Sequence, residues 1–215
     1  MDLREALYTT RAMRRITDEP IAQDVQARIL DAAIRVPSAG NTQRWRFLVV
    51  DDPDVRLQLA TIYRTIMDTS GRAYYGDRTA AAEATPDDPE SAAHLRVMRS
   101  SDYLAQNFER YPLLLFGLAI DDMYSVCLAL WNAMLAARGE GVGSCFTRML
   151  AGRAREVFSV LGVPEDEAWQ MAGCAVFGYP TGRWGIADRS PVEEVTFRNR
   201  WSAPLAFEVN GPLYP

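Results

Sequence analysis

The 215-residue chain has no lysine: all 23 of its basic residues are arginine, and His94 is its only histidine. That excludes a Walker lysine, a lysine Schiff base and a zinc-binding HExxH helix, and leaves only His94 for any Ser-His-Asp triad. His94 stands in "ESAAHLRVM", which reads as a surface helix, so a solvated or capping role is expected for it. Cys127, Cys145 and Cys174 show neither CxxC spacing nor an even pairing, which predicts buried reduced thiols rather than disulfides or a metal centre. Basic charge is short as well. A formal net charge of -5 argues against nucleic acid as the main partner. The longest apolar run, "YPLLLFGLAI", falls well short of the roughly 20 residues of a membrane span, and "MDLREALYTT" lacks a signal pattern, so a soluble cytoplasmic protein is expected. A chain so poor in acid-base side chains is expected to draw its reactivity from a bound cofactor.

What is present suits one domain over residues 1–215, since 48% hydrophobic content supports a single substantial core. "QDVQARILDAAIRV" places Val25, Ile29, Ala32, Ala33 and Val36 at helical spacing before Pro37. "RFLVVDD" predicts a short strand, "DVRLQLATIYRTIM" a helix, "YPLLLFGLAI" a buried strand and "WQMAGCAVFGY" another. "YSVCLALWNAMLAARGEG" is apolar nearly all round, which predicts a central or interfacial helix. The glycines of "GEGVGSCF" close that helix rather than open one, against a dinucleotide fingerprint. Residues 68–101 show little apolar periodicity and read as an excursion or lid, and 201–215 as an extended tail. Alternating strands and helices indicate an α/β or α+β sheet domain.

Three clusters combine arginine with turn residues: "TTRAMRRI", "PSAGNTQRW" and "GYPTGRWGIADRSP". Arginine suits bidentate phosphate binding, and turn amides are free to donate. By themselves Arg11, Arg14 and Arg15 read equally well as a solvated helix face. Taken in order with "ALWNAMLAARGEGVGSCF", however, the clusters resemble the nitroreductase family of flavin enzymes over most of the chain.

The resemblance implies an α+β fold, a central and mostly antiparallel sheet flanked by helices in an intertwined homodimer, with FMN bound between the subunits. It implies that Arg11, Ala12, Arg14 and Arg15 hold the phosphate and ribityl chain, together with the late Arg189. It also implies that Pro37, Ser38, Ala39, Asn41 and Gln43 reach the flavin from the other subunit, and that Thr147 and Arg148 meet its ring. Thr10, Ala12 and Arg44 depart from the family's usual residues. The implied activity is hydride transfer from NADH or NADPH through FMN to a small acceptor such as a nitroaromatic or quinone, with ping-pong kinetics. Tyr74, Tyr75 and Phe108 read equally as lining for the acceptor slot or as lid core. Same-fold alternatives are a reductive dehalogenase, an oxygen-dependent flavin-cleaving enzyme and a non-catalytic flavin-binding dimer.

Overall fold

The run "LLLFGLA" is buried at every position, as a strand covered on both faces must be, and forms the inner strand β2 (Leu113–Ala119) of a four-stranded sheet. In the computed structural model, which describes residues 1–209 and 211–213, β1 (Trp45–Val50) runs antiparallel along one side of β2. β4 (Gln170–Gly178) runs antiparallel along the other side, and β3 (Gly143–Thr147) pairs with β4 at the sheet edge. These four strands pair only antiparallel among the described residues, which makes the fold α+β. β3 was not separable in sequence from the glycine loop before it, because five residues including Gly143 and Ser144 carry too little alternation to read.

Side chains leave the strands alternately for two cores. Leu114, Phe116 and Leu118 enter one, where Leu59 and Tyr63 of α3 (Pro53–Ile66) and Val157 of α7 (Ala154–Leu161) meet them. Leu113, Leu115 and Ala119 enter the other, under α2 (Gln23–Ala33) and α6 (Met123–Gly139). Along β4 the alternation slips. Gly117 pairs with Gly173 but Leu118 pairs with Met171, so Ala172 is the extra residue of a bulge. Met171 and then Cys174 and Val176 therefore face the first core, while Ala172 and then Ala175 and Phe177 face the second. A Cβ on Gly173 would lie 2.6 Å from the Phe146 ring, so the bulge needs glycine there.

α6 buries Val126, Ala129, Leu130, Ala133, Met134 and Ala137, at i, i+3 and i+4 spacing. Tyr124, Leu128 and Trp131, on its other side, are exposed in the single chain. The reading of residues 68–101 as an excursion or lid is corrected in one respect, since the stretch is largely helical. A π-type turn, Met67–Gly71, leads into α4 (Arg72–Ala84), and α5 (Pro89–Gln106) starts at Asp88, whose carboxylate accepts from Ser91 N at 2.9 Å. The stretch lacked apolar periodicity because α4 buries only Ala82 among its side chains; its alanines and arginines still favour helix. His94 is also corrected: it is buried, and its Nε2 lies 3.0 Å from Thr79 Oγ1, joining α5 to α4.

Contacts divide the chain into two compact units, Ala12–Arg183 with the sheet and α2 to α7, and a smaller one of Met1–Arg11 with Trp184–Pro215. In the smaller unit Asp2 caps α1 (Leu3–Thr9), α8 (Val192–Val195) is a single turn, and the rings of Phe197 and Trp201 lie 5.0 Å apart. Residues 203–209 form neither helix nor strand; of the predicted tail, Asn210, Tyr214 and Pro215 lie outside the described residues.

Candidate functional site

The arginine cluster at 12–17 is an extended strip along the sheet edge, not a helix face. Ala12 bridges in parallel to Ser144, and Met13 N donates to Ser144 O of β3 at 2.8 Å. Further along it Thr17 N donates to Tyr179 O at 2.8 Å, and Thr181 N to Arg15 O at 3.0 Å. Arg14 and Arg15 both reach α5: Arg14 Nη1 donates to Ser100 Oγ at 3.3 Å, and the Arg15 guanidinium sits 4.4 Å from the centroid of the Tyr103 ring.

Beneath the strip lie two tyrosines that no local sequence signal marked. Tyr111 Oη donates to Arg14 O at 2.6 Å, and Tyr63 Oη lies 3.0 Å from Thr147 Oγ1 at the end of β3. Tyr63 stacks on Phe108 at 4.6 Å, and Phe108 is wholly buried, so Phe108 is core and not slot lining. Burial pushes the Tyr63 hydroxyl up to about 12, against the opposing bond from Thr147, and raises that of Tyr111 further. Both hydroxyls thus stay protonated at neutral pH. Burial raises the Cys145 thiol too, with the charge of the Arg14 guanidinium and its hydrogen bonding to the sulfur opposing, which leaves a neutral core thiol. Cys174 is buried and free in the same way, as expected.

The 37–43 segment is built differently. A short 3-10 turn, Ala39–Asn41, holds positive φ at Gly40 (58°), Asn41 (53°) and, beyond it, Gln43 (50°). Ser38 Oγ accepts from Gln43 N at 3.2 Å, and Gln43 Nε2 donates to Asn41 Oδ1 at 3.0 Å. Two neighbouring carboxylates, missed in the sequence, anchor the turn. Asp122, the N-cap of α6, accepts from Ala39 N at 3.4 Å, and Asp121 accepts from Arg44 at 2.7 Å. The hydroxyl and amide of Ser125 hold the Asp122 carboxyl below its usual range. Pro37, Ser38, Ala39, Asn41 and Gln43 otherwise stand at the surface.

Thr147 is buried and Arg148 exposed, at the mouth of an open cleft of about 720 Å³ that also takes in Met123, Phe158, Trp169 and Met171. The structure thus gathers Arg14, Arg15 and Thr147 around one stretch of sheet edge, with Arg148 next along the chain. Arg11 and Arg189 belong to the smaller unit. Arg189 Nη1 donates to Asp188 O at 2.7 Å, and Glu193 accepts from Val209 N. Tyr74 and Tyr75, in edge contact at 4.8 Å, are exposed on α4.

A phosphate-bearing cofactor would need an unsatisfied cationic donor here. Arg14 supplies it: its Nε is buried and has no hydrogen-bond partner among the described residues. Among those residues no cluster of His, Cys, Asp or Glu could hold a metal ion, and no helix is long and apolar enough to cross a membrane. The sequence profile of the nitroreductase family matches residues 7–179. The chain belongs to the nitroreductase family.

Relatives within this family carry several names. The chain is 25% identical to an NADH dehydrogenase of Thermus thermophilus over 91% of this chain and 95% of that one. It is 28% identical to a 5,6-dimethylbenzimidazole synthase of Rhodospirillum rubrum, over 94% and 92%. In fold it matches oxidised iodotyrosine deiodinase bound to FMN and 3-iodo-L-tyrosine, with a TM-score of 0.71, 21% identity and coverage of 93% of this chain and 99% of that one. The nitroreductase fold is therefore shared among proteins named for different reactions.

Proposed function

We propose that the protein is an FMN-dependent oxidoreductase, a homodimer that passes a hydride from NADH or NADPH to a small organic acceptor such as a nitroaromatic or quinone. The observation that carries this reading is the buried, unpartnered Nε of Arg14 beside Arg15 on a strip bonded to β3, a cationic donor awaiting an anion. When bound, FMN would supply the hydride chemistry that no side chain of the cleft offers. The protein's own part is to bind and orient. Arg14 and Arg15 would hold phosphate and ribityl groups, with the strip backbone at Ala12 fixing their place, and family resemblance adds Arg11 and Arg189. The preformed turn Pro37, Ser38, Ala39, Asn41 and Gln43 would meet the flavin across the dimer. Thr147, immobilised by Tyr63, and Arg148 would set the ring edge and favour negative charge there. The exposed apolar side of α6, Tyr124, Leu128 and Trp131, supports burial against a second copy.

Mass spectrometry of the chromophore released on denaturation should give FMN, and anaerobic NADH or NADPH should bleach it. FAD, or no chromophore after incubation with FMN, overturns the cofactor; sedimentation at 24.1 kDa alone overturns the dimer. Arg189→Ala should weaken FMN binding by roughly ten- to a hundred-fold, the value of a charge-assisted bond to phosphate, read by titrating apoprotein. The different reactions named among the relatives favour one second reading, a same-fold flavin enzyme with another task. Bound FMN that neither donor bleaches would select it.

A further inference from the structure

Most arginines in the larger unit are engaged: Arg28 with Glu140, Arg44 with Asp121, Arg64 with Glu109, Arg153 with Glu156. Two in the 720 Å³ cleft are not. Arg148 and Arg155 line it, and neither guanidinium has a hydrogen-bond or ion-pair partner among the described residues. The same cleft offers flat apolar surface from Phe158, Met123, Met171 and half-buried Trp169, whose ring is held by Arg46 at 5.3 Å from its centroid. Of the two carboxylates in the lining, Glu167 already accepts from Trp169 Nε1, and Glu165 is exposed.

We propose that this cleft selects aromatic acceptors bearing a carboxylate, the ring lying against Phe158 and Trp169 and the anion meeting Arg155 and Arg148. The inference rests on the proposed function, because Arg148 adjoins Thr147, where the flavin edge is assigned. Planar carboxylates match the guanidinium fork, and cations left unpaired beside apolar surface are spared the cost of breaking an existing pair. The holoprotein tests it with two acceptors, 4-nitrobenzoate and 4-nitrobenzyl alcohol, and by calorimetry with benzoate, which needs no turnover. Wild type should prefer the nitrobenzoate in kcat/KM, and Arg155→Ala should cut that preference, and benzoate affinity, about ten-fold, as expected for losing one charge-assisted bond at a solvent-reached site. Arg155→Lys should restore part of both. An unchanged preference with normal bleaching by NADH or NADPH overturns the inference and spares the oxidoreductase. Arg155-dependent benzoate binding without bleaching by either donor overturns the oxidoreductase and leaves an aromatic-anion site. Absence of benzoate binding in wild type overturns the inference directly.

Discussion

Two segments assigned to the same cofactor are held in opposite ways. The 12–17 strip is bonded by backbone to β3 and, further along, to residues 179 and 181, while the hydroxyl of Tyr111 bonds Arg14 O. The 37–44 turn is exposed, holds three positive φ angles, and is tied by side-chain contacts to Asp121 and Asp122. The first is bridged to the sheet edge by backbone hydrogen bonds, so its geometry follows that of the sheet. The second is preshaped but weakly attached, as suits a piece that a second subunit would complete.

Breaking the strip should cost most. Tyr111→Ala removes a wholly buried ring and its bond to Arg14 O, which should lower stability by about 3–5 kcal/mol in urea unfolding. Tyr111→Phe keeps the ring and leaves the carbonyl short of a donor, for about 1–1.5 kcal/mol by the same measurement. If Tyr111→Phe matches Tyr111→Ala, the hydroxyl rather than the packing holds the strip.

Changes under the turn should be milder. Asp122→Ala deletes the N-cap of α6 and the contact to Ala39, and should lower Tm by less than Tyr111→Phe at pH 7. Because the folded Asp122 carboxyl titrates below its unfolded value, its contribution is present above the unfolded range and disappears as pH falls through the folded one. The Tm difference between wild type and Asp122→Ala should therefore vanish in acid. Arg44→Ala should do least, about 0–1 kcal/mol, since Arg44 and Asp121 are both largely solvent-exposed. A larger loss would mean that the turn is attached as firmly as the strip.

The sheet was readable in the chain where burial imposes a period. β2 is apolar throughout because both its faces are covered, and α6 and α2 repeat their buried residues every third and fourth position. α4 was not readable as a helix, and α5 only over "ESAAHLRVM", since few of their side chains are buried and propensity alone leaves a weak trace. The arginines of the strip were found as a composition, but their extended form depends on pairing with β3 and Tyr179, residues far along the chain. The partners Tyr63, Ser100, Tyr103, Tyr111, Asp121 and Asp122 escaped for the same reason: each acts through a contact at long sequence separation except Asp122, whose capping role needed only Ser125 three residues on.

The bulge at Ala172 divides β4 into two halves that are half a wavelength out of phase. Deleting Ala172 would shorten the strand without reversing it. Met171 and Cys174, now three positions apart yet facing the same core, would stand two apart, so Met171, Cys174 and Val176 would keep facing α3 while Ala175 and Phe177 kept facing α6. The loss of one residue elsewhere in β4 would instead turn one part of the strand over. In this strand, therefore, the place of a residue in the count carries as much structural instruction as its type.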